Sequence, residues 1–384
     1  MLAFETTEYR GRVKAVSALM EERGVDVLLC LREANICYLT GYEGFSEYVP
    51  QAAILRKGDT DPILIFREMD VHCAIPTVYL DPSRIEGYPE SYIGTPDRSP
   101  WEFIGNRVIS IAGGGRIGIE LEAPGLSVLG HRALMRVLGE RPVIDVGHMV
   151  HQVRMRKSPR ELQYMRQAGV IVDKAMQATI ARIAVGVRQC DVGATLMSEL
   201  ATGTPEFGGS APLQMPSIPM SPAASAPHLK WVDTPYVAGS QTNLEVGAFR
   251  RRYCCALSRT AYLGVPPPRL AYTHEAVLEG FNAAFGAIRP GVTCAEVHSA
   301  FTRSFSPKGI RKESRIGYSI GIDWADFAFS LQSNDHTVLD TDYTLHLIIG
   351  IWEKSDAYIF SETIRVGENG AESFSTTPRA LFVR

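Results

Sequence analysis

The sequence has no apolar run long enough to cross a membrane. The longest such stretch near its C-terminus, LHLIIGIW at 345–352, falls far below the roughly 18 residues a spanning helix needs. Cysteine is scarce: seven in 384 residues, an odd number, scattered and without a CxxC pair. That excludes a disulfide framework and a CxxC metal or redox motif, and reduced thiols are the expectation. Neither sign of charge is in excess. The net charge is -3 and the pI about 6.3, so nothing draws the chain to nucleic acid or to an anionic membrane. No internal repeat at solenoid periods is present. The stretch MLAFETTEYRGRVKAVSALM at 1–20 has no apolar core followed by a small-residue cleavage site. It does not read as a signal peptide, and a cytoplasmic protein is expected.

What is there is a globular composition, 45% hydrophobic and 21% charged. The length exceeds one ordinary core, so two domains are expected. In the first, residues 8–23 place Val13, Val16, Leu19 and Met20 at helical spacing. VDVLLCL at 25–31 reads as a buried strand. QAAILRK and DPILIFR, separated by Gly58-Asp59, read as a hairpin. RIGIEL at 116–121 and PVIDV at 142–146 add strands around a helix near 131–138, which makes an α/β domain. Arg154, Arg156 and Lys157 then lead into Ser158-Pro159-Arg160-Glu161, a capping box opening a helix to about Arg182. The domains are therefore drawn as 1–153 and 154–384. The second contains a helix at 191–201, a Pro/Gly/Ser-rich stretch at 202–227, a hairpin around Glu245, helices at 274–288 and 293–305, and closing sheet segments. The stretch at 202–227 has the composition of a surface loop, but so long a loop inside a compact domain is often functional.

The segment LEVGAFRRRYCCALSRT at 244–260, together with GYSIG at 317–321, LHLIIGIW and SETIRVG at 361–367, resembles the metal-ligand framework of the creatinase/prolidase/methionine-aminopeptidase superfamily. The resemblance implies that superfamily's fold, an α/β N-terminal domain followed by an α+β pita-bread domain. Walked along this chain, its metal positions fall on Glu245, Ala256, Tyr318, Ile348 and Glu362. Two carboxylates with no histidine or further acid do not make a dimetal site, so a metal-independent protein with no cofactor is expected. SAPHLKW at 225–231, LSRTAYLG at 257–264, PRALFV at 378–383 and GYEGFSEYVPQ at 41–51 resemble ectoine hydrolase within that superfamily. In the hairpin, Cys254 stands where that resemblance calls for a histidine.

The ectoine hydrolase likeness implies hydrolysis of a cyclic amidine to N-acetyl-diaminobutyrate. This chemistry needs a carboxylate beside the amidinium, an attacking water or carboxylate, and a proton for the leaving nitrogen. Glu245 and Glu362 are the carboxylates it implies, and His228 the proton carrier. Tyr253, Arg259, His346, Tyr318, Trp324, Phe45 and Tyr48 are the substrate-binding candidates. Each has a plainer alternative. Arg259 either holds a substrate carboxylate or pins Glu245 or Glu362. His346 is a site residue or a satisfied core histidine. Trp324 and Phe45 stack on a cationic ring or belong to the core. Tyr48 lies in the domain that, in this fold, covers a neighbouring subunit's site, and a homodimer is expected. The alternatives to ectoine hydrolysis are a creatinase-like enzyme acting on a linear guanidino compound, an Xaa-Pro metallopeptidase, and a non-catalytic compatible-solute-binding protein.

Overall fold

Buried strand segments and the amphipathic helices that cover them assemble into two units, Met1–Arg154 and Met155–Arg384. The computed structural model describes residues 2–44, 46, 48–211, 214–353 and 357–384, with the backbone alone at Phe327. No helix among the described residues is long and apolar enough to cross a membrane.

The first unit is a six-stranded sheet. Its strands are β1 (Val27–Cys30), β2 (Ala52–Arg56), β3 (Ile63–Arg67), β4 (Ile85–Tyr88), β5 (Ile117–Ile119) and β6 (Val143–Asp145), in the order β4-β3-β2-β1-β5-β6. β2 and β3 form the expected hairpin, with Gly58 at φ +87 supplying the left-handed residue of the turn. β1, β5 and β6 run parallel, which demands crossover helices. The helices Pro100–Ala112 and Val128–Leu138 take that role and bury Trp101, Ile104, Ala133 and Leu134 against Val27, Leu29 and Ile117.

The second unit opens as the capping box requires. Ser158 Oγ accepts from Glu161 N at 3.2 Å and Glu161 Oε2 from Ser158 N at 2.6 Å, starting the helix Pro159–Arg182. The strands are β7 (Gln241–Arg250), β8 (Tyr253–Tyr262), β9 (Gly317–Gly321), β10 (Trp324–Ser330), β11 (Thr344–Ile351), β12 (Tyr358–Val366), β13 (Ala371–Ser373) and β14 (Phe382–Val383). The sheet runs β10-β9-β11-β12-β8-β14, with β7 paired to β8 and β13 to β12. The helices Pro159–Arg182 and Gln189–Thr202 pack Ile171, Val172 and Leu196 on Val246 and Leu257. The helices Pro268–Ala287 and Cys294–Phe305 pack Phe281 and Phe301 on Leu347 and Phe360. Both pairs therefore cover one face of the sheet. Alternation along each strand sends the intervening residues, Glu245, Gly247, Ser258, Tyr318, His346 and Ser361, to the other face.

The stretch at 202–227 is not a free loop. Ser217 and Glu245 exchange both backbone hydrogen bonds, Asn243 N donates to Pro219 O, and Ser221 N donates to Gln241 O. Residues 217–221 run along the outer edge of β7 as an irregular strand, which satisfies an edge that would otherwise stand open.

Candidate functional site

Two left-handed turns build one wall of the site. β7 and β8 join through Arg251 and Arg252, both at positive φ (50 and 68), the two-residue turn that matches strand twist. Non-glycine residues sit there at a cost, which a partner offsets. Arg252 Nε donates to Asp323 Oδ1 at 2.8 Å, and Asp323 N donates to Arg252 O at 3.0 Å. Asp323 and Trp324 are themselves at φ +62 and +86. The two turns hold each other, and the second delivers Trp324, only 2% exposed, onto β7 at Gly247. A Cβ at Gly247 would lie 2.2 Å from Trp324 Cζ3, so the absence of a side chain there is what lets the indole lie against the strand. Gly247→Ala is accordingly expected to displace Trp324, to cost about 1–3 kcal/mol by overpacking, and to weaken ligand binding; calorimetric binding and denaturant titration of the purified variant check both parts.

Trp324 then anchors a buried chain of hydrogen bonds. Its Nε1 donates to Tyr318 Oη at 2.9 Å, Tyr318 Oη lies 3.0 Å from His346 Nδ1, His346 Nε2 lies 2.7 Å from Ser361 Oγ, and Ser361 Oγ donates to Ser258 Oγ at 2.8 Å. Burial drives His346 down to about 3, so the ring stays neutral. With Tyr318 donating to Nδ1, Nε2 carries the proton for Ser361, and the whole chain donates in one direction. Burial raises the Tyr318 hydroxyl, with Glu245 adding to the shift, so it stays protonated.

In front of this wall is a cavity of about 390 Å³. Gln214, Met215, Pro216 and Ser217 line one side, His228, Leu229, Lys230 and Trp231 another, and Glu245 and Trp324 come from the sheet. Among the described residues that line it, Glu245 is the single acid. No hydrogen bond or ion pair reaches the Glu245 carboxyl among the described residues, and burial alone pushes it up to about 7. At neutral pH such a group is divided between acid and base forms. It can take a proton from water or, beside a cation, ionise fully and pair with it.

The expected site residues divide. Glu245, His228 and Trp324 line the cavity; Tyr318 and His346 stand behind Trp324 and hold it. Glu362 is a correction. The register pairs Ser361 with Ser258 and Ile348, which places Ser361 on the Glu245 face and turns Glu362 to the helix-covered face. There it meets Arg259 Nη2 at 3.1 Å and Arg379 Nη2 at 2.8 Å, 2% exposed. The superfamily's last ligand position therefore falls on Ser361. Arg259 is a correction too. Its guanidinium is spent on Glu362 and on the carbonyls of Ser258, Ser361, Thr377 and Pro378, at 2.8–3.1 Å, which leaves nothing for a substrate. Tyr253 is the third: its hydroxyl donates to Glu161 Oε1 at 2.6 Å and its ring stacks on Tyr164, bracing the long helix. Tyr48, in the first unit, is 73% exposed and its hydroxyl accepts from Arg67 Nη1 at 2.7 Å. Phe45 lies outside the described residues. Sequence reasoning missed Ser361 and Ser258, whose face the strand register decides, and the cavity residues Met215, Lys230 and Trp231, the last two inside the SAPHLKW stretch that was read only for His228.

Residues 12–156 match the creatinase/prolidase N-terminal domain, and residues 163–370 match metallopeptidase family M24. The uncharacterized hydrolase/peptidase y4tL of Sinorhizobium fredii is 36% identical over 99% of this chain and 97% of its own. The ectoine hydrolase of Halomonas elongata is 33% identical over 100% of this chain and 99% of its own. Among solved structures, dipeptidase PepE from Mycobacterium ulcerans superposes with a TM-score of 0.82 at 21% identity, covering 99% of both chains. The Pyrococcus horikoshii prolidase gives 0.82 at 20%, covering 97% of this chain and 100% of its own. At those identities the structures establish the fold, an α/β N-terminal domain and an α+β pita-bread domain. The metal that the family's name implies does not fit the residues here. Of the five positions, Ala256 and Ile348 carry no donor, Ser361 and Tyr318 offer hydroxyls already hydrogen-bonded, and Glu245 alone is a carboxylate. Both ring nitrogens of the neighbouring His346 are engaged as well.

Proposed function

This chain belongs to metallopeptidase family M24, with a creatinase/prolidase N-terminal domain, and on that premise we propose that it is a metal-independent hydrolase that opens the cyclic amidine ring of ectoine, or of a close analogue, to N-acetyl-diaminobutyrate. The observation that carries this reading is the Glu245 carboxyl, largely buried and without a partner among the described residues, in a cavity of small-molecule size and poised near neutrality. The full-length likeness to an ectoine hydrolase supports the choice of substrate.

An amidinium brings its own positive charge and its own electrophilic carbon. Entering the cavity, it lowers the Glu245 pKa and ionises the carboxyl. The carboxylate takes a proton from the attacking water as oxygen bonds to the amidine carbon. A proton returned to the ring nitrogen lets the C–N bond break, leaving an amide and an ammonium. His228, on the cavity wall, is placed to exchange that proton with solvent. Trp324 presents an aromatic wall to a cationic ring. A pair of metal cations would repel such a substrate.

Proton NMR of ectoine incubated with the purified protein tests the reading. Ring opening at the same rate with and without chelator is the expected result. Opening that stops with chelator refutes metal independence. Intact ectoine alongside cleavage of creatine assigns a creatinase-like reaction instead. Binding of ectoine without turnover assigns a compatible-solute-binding protein.

A further inference from the structure

The cavity is charged at two places that do not neutralise each other. Glu245 lines it from the sheet; Lys230 lines it from the loop that carries His228. The Lys230 ammonium takes part in no ion pair or side-chain hydrogen bond among the described residues. Burial raises the Glu245 carboxyl, and no ion pair joins it to Lys230 among the described residues. The two charges line one cavity and are not paired with each other.

The loop that carries Lys230 is anchored on both sides. On one, Ser217 Oγ donates to Pro227 O, and Ser217 is stitched to Glu245 through the backbone. On the other, Trp231 packs on Gly193, where a Cβ would come within 3.0 Å of the indole, and Val232 N donates to Gln189 Oε1 at 2.8 Å. Between these ties Lys230 is held as an exposed residue at the cavity wall.

We propose that Lys230 is the carboxylate anchor of this cavity, and that the cavity selects zwitterionic ligands, cyclic amidines bearing a carboxylate, held with the amidinium at Glu245 and the carboxylate at Lys230. The inference rests on the amidine-hydrolase reading and adds to it the element that separates substrates. An amidine without a carboxylate satisfies Glu245 and leaves Lys230 solvated, so the discrimination is one charge-assisted contact.

The test compares ectoine with the same cyclic amidine lacking its carboxylate, on the wild-type protein and on Lys230→Met and Lys230→Arg. Selectivity is the ratio of kcat/KM where ring opening occurs, and of Kd by calorimetry where it does not. The expected result is a wild-type preference for ectoine of roughly tenfold or more, falling to near unity in Lys230→Met, partly kept in Lys230→Arg, and shrinking with added salt. An unchanged ratio in Lys230→Met overturns the anchor and leaves the ring-opening reading standing. A wild-type protein that neither binds nor opens either ring overturns that reading, and the anchor with it.

Discussion

Glu245→Gln is expected to cut ring opening by roughly 10³-fold, the usual worth of a positioned acid–base group, while making the protein more stable at alkaline pH. The two effects share one cause. Burial raises the Glu245 carboxyl from 4.5 to about 7. Between those values the folded state binds more protons than the unfolded state, so stability falls as pH rises through that window and stays lower above it. Ionising a buried, unpartnered carboxylate costs on the order of 2–3 kcal/mol at pH 8. Glutamine never ionises. Denaturant titrations of both proteins are expected to agree near pH 4 and to diverge by about that amount at pH 8, with the variant the more stable. Wild-type kcat/KM is expected to fall tenfold per pH unit below about 7, because the base must be deprotonated to act. Wild-type turnover in Glu245→Gln would end the assignment of this residue as base.

Glu362→Gln is expected to do the reverse, damaging the fold and sparing the chemistry of whatever stays folded. Glu362 neutralises Arg259, which is 0% exposed, and also receives Arg379 from the C-terminal segment. Removing the carboxylate's charge leaves the guanidinium buried without its counter-ion, at a cost of about 3–5 kcal/mol. The loss is expected to spread to the tail, since Arg259 also grips the Thr377 and Pro378 carbonyls and Arg379 lies over the Phe281 and Phe285 rings. Hydrogen exchange should therefore show residues 374–384 opening first. A fall in kcat per folded molecule as large as that of Glu245→Gln, with stability unchanged, would return Glu362 to the catalytic machinery.

The contrast between these two glutamates shows where sequence reading stops. Both stand at or beside positions of one ligand framework, and both are acids. Side chains alternate along a strand, so a framework misplaced by a single residue exchanges the cavity face for the helix face. Adjacent Ser361 and Glu362 give no local sign of which is which; the pairing of Ser361 with Ser258 and Ile348 decides it. Arg259 and Tyr253 fail as substrate residues for a related reason. Their chemistry suits a ligand, but partners far along the chain, Glu362 and Pro378 for one and Glu161 for the other, had already taken it.

What the sequence alone determined is what depends on local order. The β2–β3 hairpin follows from Gly58, and the start of the helix Pro159–Arg182 from Ser158, Pro159 and Glu161. The two-domain fold follows from the order of such elements. The loss of metal ligands at Ala256 and Ile348 is also legible, since no conformation gives an alanine or isoleucine side chain a donor atom. The tertiary structure decided which charges remain free. It left Glu245 without a partner among the described residues, satisfied Glu362 twice, placed Trp324 against a bare Gly247, and brought Lys230 from an irregular loop to the wall of the same cavity. A charge becomes reactive or inert through its neighbours in space, and strand register and loop anchoring choose those neighbours.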